Sequence, residues 1–379
     1  MPHNFRKDFK RLYIQKEEHP VLHSFMKWIL IILAILLVIL LILFVIIFIV
    51  FPIVFMLSLA LERLLLFMNV NVPKNPKFDM PHEYGFQGVT NFYITSRASV
   101  NSSEVLSIGA WWLPNEKYLN STERMDDILK KDEFPVVLYN HGVLATRILK
   151  YDYIYKTLRK YFHVISIDYR DYGDSSPHDL SEEGVVLDVV HTYNLVKSKT
   201  KADIYVWGHS LGGGISAHAV KWLKDNEEEI PAGFVIESSF TSLQEELYEY
   251  FISKIFKWLP WFELCVVDPV REHGFIFNTT RNVQDIDCPI MIMHAEDDPV
   301  IPFFLGERNF NITSQNRKPS QGQVFFHPFA AKKGYGHVGC TQDPEVPKYI
   351  EEFMSECEKW KNERARLQKK LNGTISGRV

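Results

Sequence analysis

The chain has 379 residues, of which 46% are apolar and 23% charged, and its formal net charge is −4. That apolar share excludes a disordered chain, and the length allows one large α/β domain plus an appendage. No basic patch follows residue 30, which excludes a nucleic-acid surface of the usual electrostatic kind.

The chain begins with a basic tail, residues 1–27, carrying Arg6, Lys7, Lys10, Arg11, Lys16 and Lys27. Residues 28–51 follow as a transmembrane anchor: Ile29 to Val50 is uninterrupted apolar sequence, and a spanning helix needs roughly 20 such residues. Pro52 lacks a backbone N–H and clashes with the turn before it, so a kink or break is expected there. The apolar stretch Ile53 to Met68 carries Glu62 and Arg63, a pair too costly for the bilayer centre. It is read as a continuation at the membrane surface, within a membrane-proximal segment and linker over 52–80. Ser58-Leu59-Ala60 resembles a signal-peptide cleavage site, but a signal peptide's apolar core is only about 7–15 residues long. The anchor is therefore expected to stay.

The excess of Lys and Arg before the span puts the N-terminus in the cytosol and everything after it in the lumen or outside. Five Asn-x-Ser/Thr sequons, at Asn101, Asn120, Asn278, Asn311 and Asn372, all lie after the span, where glycosylation is possible. So do the four cysteines, Cys265, Cys288, Cys340 and Cys357. An oxidising lumen permits disulfides between them, and four buried free thiols are the alternative.

Residues 81–370 read as one α/β domain. Apolar alternation over Glu83–Ile94 and Val105–Leu113 suggests an antiparallel start to a sheet. Short β-branched runs then begin at Pro135, His163, Ile204, Phe234, Ile290 and Val324. Helical stretches separate them, among them Tyr151–Lys160, Ser181–Lys197 and Leu211–Lys224. Runs apolar on both faces require helices on both sides of a parallel sheet, so a mostly parallel, doubly wound α/β sheet is expected. The connection from Glu237 to Pro289 is far longer than such a fold needs. It carries Tyr248, Tyr250, Phe251, Phe256, Trp258, Trp261 and Phe262, and is read as a helical cap insert, about 243–285, over a site for an apolar substrate.

The chemistry centres on Gly208-His209-Ser210-Leu211-Gly212, which follows the apolar strand Ile204–Trp207 and opens a Gly/Ala-rich helix. Gly-x-Ser-x-Gly in that context is a nucleophile elbow: a tight strand-to-helix turn that exposes the Ser Oγ. A serine hydroxyl needs a base, and this architecture supplies the acid and then the His later in the chain. Asp297 and Asp298, after the strand Ile290–Met293, are the two candidate acids. His337, bracketed by Gly336 and Gly339, is the candidate base, with His327, inside a strand, as its rival. Oxyanion donors are expected from the backbone N–H of Leu211 and of Val143. His141 and His209 are read as structural, the His163–Asp168 spacing as chance, and the loop from Asp168 to Ser175 as the rim of the site. No metal or cofactor is needed for this chemistry.

The N-terminal anchor and several segments resemble one family, the α/β-hydrolase domain-containing protein 12-like lipases. These segments are His141-Gly142 with Thr146-Arg147, Asp168-Tyr-Arg with Gly173-Asp-Ser175, Trp207-Gly-His-Ser-Leu-Gly212, Ile236-Glu-Ser with Phe240-Thr241, Trp261-Phe with Asp268-Pro269, and His294-Ala-Glu-Asp-Asp-Pro-Val300. The resemblance runs from about residue 80 to 360. It implies an α/β-hydrolase fold, membrane-bound hydrolysis of lysophosphatidylserine and monoacylglycerol, an endoplasmic reticulum location, and Ser210, Asp298 and His337 as the triad. Val143, Leu144-Ala145 and Gly213 depart from the family's pattern. The substrate is thus expected to be a single-chain lipid ester, with an acyl-thioester as the alternative and a non-catalytic scaffold as the third reading.

Overall fold

The computed structural model describes residues 20–148 and 152–376; the basic residues before Pro20, and Tyr151 of one expected helix, lie outside it. The chain divides into two units, 1–58 and 59–379. The described part of the first is one long helix, apolar enough over His23–Leu57 to cross a membrane. Of the kink or break expected at Pro52, the break is absent, and the helix is irregular rather than interrupted. The α-helix Pro20–Val45 passes into a π-helical turn, Ile46–Val50, and resumes as Phe51–Leu57, with Pro52 in its first turn. A π-turn widens the helix just where the proline ring would strike the preceding carbonyls and leave one without a donor. The helix ends at Ser58, which is extended (φ −124°, ψ 92°).

The second unit starts earlier than the sequence suggests. Helix α1, Leu59–Phe67, was expected along the membrane surface, but it buries Glu62 and Phe67. Phe67 meets the rings of Phe275 and Phe277 edge-on at 5.7 and 6.2 Å. Glu62 accepts from His273 Nδ1 at 2.8 Å, and Arg63 pairs with Asp179 at 2.8 Å. The charged pair that argued against a second span is thus held by protein partners. The linker also contributes to the core: Phe78 is buried, and its carbonyl accepts from Trp111 Nε1 at 2.8 Å.

The sheet contains β1 (Thr90–Arg97), β2 (Val105–Leu113), β3 (Val136–Asn140), β4 (His163–Ile167), β5 (Ile204–His209), β6 (Gly233–Glu237), β7 (Ile290–Ala295) and β8 (Val324–Phe329). Their order is β1-β2-β4-β3-β5-β6-β7-β8. β2 pairs antiparallel with β1 and β4, and the remaining pairs are parallel. β1 starts at Thr90, later than the sequence pattern predicts. Pro81–Tyr84 forms a 3₁₀ turn instead, closed by left-handed Gly85 (φ 81°).

Side chains alternate across β3 and β5. Val137, Tyr139, Tyr205 and Trp207 join one core cluster with Tyr155 and Leu158 of α2 (Tyr153–Leu158) and with Ile350, Phe353 and Cys357 of α8 (Val346–Ser376). Helices α3 (Glu182–Lys199), α4 (Leu211–Glu227), α6 (Thr279–Asp285) and α7 (Phe303–Gln315) pack in series, α4 lying on β5 and α7 on β7. Ser181 caps α3 by accepting from Gly184 N at 3.1 Å. The insert between β6 and β7 contains α5 (Leu243–Glu249), α6 and short helical turns. Its aromatic residues divide: Phe262, Phe275 and Phe277 are buried, while Phe251 and Trp258 face solvent. All four cysteines are buried free thiols.

Candidate active site

β5 runs into α4 through a single residue, Ser210, whose backbone sits at φ 56°, ψ −125°. That is a sparsely populated conformation for a residue with a side chain, and such strain gathers at functional sites. The turn is held from both sides. Ser210 N–H donates to Glu237 O at 2.9 Å, and Ser239 O–H donates to Ser210 O at 2.8 Å. It is also too tight for side chains. A Cβ on Gly212 would lie 2.1 Å from Asn140 O, and one on Gly142 would lie 2.7 Å from Ser210 Cβ.

Three expected residues come together at the carboxyl ends of the strands. His337 Nε2 lies 2.9 Å from Ser210 Oγ, and His337 Nδ1 lies 2.8 Å from Asp298 Oδ2. Burial alone would raise the Asp298 carboxyl. Hydrogen bonds from His294 and His337, and the charges these rings can carry, outweigh burial and hold it well below the usual carboxylate range. An ionised carboxylate only accepts, so the His337 proton sits on Nδ1 and Nε2 is free to take the serine proton. Asp298 Oδ1 accepts from Val300 N and Ile301 N at 2.8 and 3.0 Å, which fixes the carboxylate. Asp297, the rival, lies elsewhere in the turn and accepts from Gly336 N at 3.1 Å. His327 stacks on Tyr349 at 3.9 Å between centroids, out of the site.

The other histidines support the backbone. His209 Nε2 donates to His337 O at 2.9 Å, and burial drives its pKa down to about 3, so it stays neutral. His141 Nδ1 donates to Gly142 O at 2.7 Å, beside the expected oxyanion residue Val143. His163 accepts from Asn115 N at 3.0 Å, remote from Ser210 along its own strand. The loop after β4 buttresses the loop after β3. Buried Asp168 pairs with buried Arg147, and Tyr169 O–H donates to His141 O at 2.9 Å. Tyr172 O–H donates to the carbonyl of Phe67, and Leu144 N–H donates to Met68 O at 3.3 Å, so α1 is tied to both loops.

A cavity of about 110 Å³ opens above Ser210. Val143 and Leu211 border it, with Leu65, Leu66 and Met68 from the α1 segment, Leu243, Leu247 and Tyr250 from the insert, and Phe240 and Ile301. One wall residue was not foreseen: Glu246, 7% exposed on α5. Burial raises its carboxyl to about 9, and the charges of Asp298 and Glu249 add to this against Lys254. The signal was in the sequence, because Leu243, Glu246, Leu247 and Tyr250 fall at i, i+3, i+4 and i+7, on one helix face. The α1 wall carried no such signal, since its leucines continue the apolar run of the anchor. A larger groove of about 380 Å³ lies near Asp203 and Ile204, where β5 begins, away from Ser210. Four of its charges pair with each other, Lys197 with Glu229 and Lys361 with Asp203.

The sequence profile of the alpha/beta hydrolase fold matches residues 135–262. Among solved structures, an esterase of Pyrococcus furiosus, Pf2001, superposes with a TM-score of 0.51 at 18% identity, over 73% of this chain and 93% of its own. The fold is therefore that of the α/β-hydrolases, as the sequence pattern implied. Lysophosphatidylserine lipase ABHD12 of Rattus norvegicus is 32% identical over 310 residues, 80% of this chain and 76% of the relative. The Xenopus tropicalis protein of that name is 34% identical over 310 residues, 79% of this chain and 78% of the relative. Human Protein ABHD12B is 27% identical over 291 residues, 74% of this chain and 75% of that protein. The molecule is a serine ester hydrolase, a lipase of the α/β-hydrolase type. Within that class, the chain belongs to the ABHD12 family.

Proposed function

We propose that this protein is a membrane-anchored lipase that cleaves the ester of single-chain lipids: lysophosphatidylserine, other lysophospholipids and monoacylglycerol. One observation carries the reading. The chain of hydrogen bonds Ser210–His337–Asp298 stands at the floor of a largely apolar cavity. Ser210 Oγ attacks the ester carbonyl while His337 Nε2 takes its proton, and Asp298 orients the ring and stabilises its charged form. The backbone N–H groups of Leu211 and Val143 receive the developing oxyanion. His337 then passes the proton to the leaving alcohol. Water, activated by the same imidazole, attacks the acyl-serine and frees the fatty acid.

The substrate class draws on the relatives' printed name and on the leucine-rich wall. The N-terminal helix is read as an uncleaved anchor, with the N-terminus cytosolic and the hydrolase domain in the endoplasmic reticulum lumen or outside. Asn101, Asn120 and Asn311 are exposed, as acceptors must be. Asn278 is half-buried instead, at the start of α6, where its side-chain oxygen accepts from Arg281 N at 2.9 Å. The side chain of Asn372 lies outside the described residues. The test is a substrate panel on the full chain in detergent: lysophosphatidylserine, monoacylglycerol and an S-acylated cysteine peptide. Fatty acid release from the two oxygen esters, lost in Ser210→Ala, is expected. Release from the thioester alone would contradict the reading.

A further inference from the structure

The cavity above Ser210 has one wall residue that does not suit a hydrocarbon chain. Glu246 is buried beside Leu243, Leu247 and the α1 leucines, and its Oε2 has no hydrogen-bond partner among the described residues. Its neighbour in sequence is fully engaged: Glu245 pairs with Arg308 and takes the hydroxyl of Thr241. The fold therefore had a cation and a hydroxyl at hand for a glutamate on this helix and gave both to Glu245. Leaving a buried carboxyl oxygen unsatisfied costs folding free energy. Leu or Met at this position would pack against the same walls without that cost. Such a group fits a site where the missing partner arrives with a ligand.

The unpaired oxygen needs a donor, and the chemistry of an ester limits where one comes from. The acyl half of a fatty ester carries no hydrogen-bond donor. The donors are all on the alcohol half: the free hydroxyls of glycerol, or the ammonium of an amino head group. We infer that Glu246 recognises the alcohol half of the substrate, accepting a hydrogen bond from a hydroxyl or ammonium of the leaving group. This rests on the lipid-ester reading above. The carboxyl, whose protonated form burial favours, accepts from a hydroxyl on its carbonyl oxygen. It ionises only if a cation takes the proton's place. Recognition of this kind discriminates more sharply than an apolar wall, because an ester lacking the donor leaves the buried carboxyl unpaired.

The test compares two esters of one fatty acid, 1-oleoylglycerol and methyl oleate, which differ in the hydroxyls of the alcohol half. The full chain in detergent micelles is measured on both, as wild type, Glu246→Leu and Glu246→Gln. The readout is the ratio of kcat/KM for the glycerol ester to that for the methyl ester, so that a change in the amount of folded protein cancels. Glu246→Leu is expected to lower the ratio about tenfold, the effect of one lost hydrogen bond. A ratio unchanged in Glu246→Leu overturns the inference while leaving the lipase reading intact. A wild type that cleaves neither ester takes both down. The two donors separate on lysophosphatidylserine and lysophosphatidylglycerol. Glu246→Gln keeps an acceptor but no charge, so a selective loss on the serine lipid marks the ammonium, and equal retention on both marks a hydroxyl.

Discussion

Two adjacent aspartates in the turn after β7 make opposite predictions. In Asp298→Asn, the carboxamide oxygen is claimed by Val300 N and Ile301 N, which now approach Oδ1 at 2.8 and 3.0 Å. The NH₂ group then faces His337 Nδ1, where Oδ2 stands at 2.8 Å. Two donors cannot face each other, so Nδ1 gives up its proton and Nε2 carries it instead. A protonated Nε2 directed at Ser210 Oγ cannot accept the serine proton. The wrong tautomer is expected to lower kcat by about 10⁴, equivalent to about 5.5 kcal/mol. Asp297→Asn differs. Among the described residues its Oδ2 accepts only from Gly336 N at 3.1 Å, and a carboxamide oxygen does the same, so kcat is expected to fall less than about tenfold. The assay is steady-state hydrolysis of a p-nitrophenyl ester by both variants, with thermal melting as the fold control. Equal losses in two folded variants, or the larger loss in Asp297→Asn, would refute the reasoning.

Glu237 gives the stability a pH dependence. Burial raises its carboxyl to about 7 against the Trp207 hydrogen bond, so the folded state holds the proton more tightly than the unfolded chain. The stability it contributes is present below about pH 4 and lost as pH rises through about 7, by about 3 kcal/mol in all. Melting curves should show wild type losing stability relative to Glu237→Gln between about pH 4 and 7, and a pH-independent difference would count against this account. Gly142→Val sets a Cβ 2.7 Å from Ser210 Cβ. It should lower kcat by at least about 10², as loss of one oxyanion donor does, with the melting temperature measured alongside. In eukaryotic cells, Asn278→Gln should leave the glycosylated mass unchanged, whereas loss of Asn101, Asn120 and Asn311 together should lower it.

Local patterns were legible where one element decided them. The β5–Ser210–α4 elbow could be read because an apolar strand, two close-approach glycines and a helix lie within one short run. The Asp297-Asp298 turn and His337 were candidates by their order and their loops. Choosing between Asp297 and Asp298 needed the resemblance, because only the direction of the side chains separates them. Features depending on distant partners stayed hidden. Leu59–Phe67 has the composition of membrane-surface sequence, and only Phe275, Phe277 and His273, some 200 residues on, turn it into a wall of the hydrolase domain. Pro52 predicted a break by a local rule, and a π-turn one step earlier relieved it. The insert does reach the cavity, through Leu243, Leu247 and the aromatic Tyr250, but Phe251 and Trp258 face solvent and the α1 leucines complete the wall.

The central claim is that Ser210 is the nucleophile of a lipid-ester hydrolase. Its most direct test is to treat the full-length protein with a fluorophosphonate probe and locate the adduct by peptide mass spectrometry. The account predicts one modified residue, Ser210, with labelling slowed by saturating lysophosphatidylserine and abolished in Ser210→Ala. An adduct on any other residue, or labelling that persists in Ser210→Ala, would contradict it.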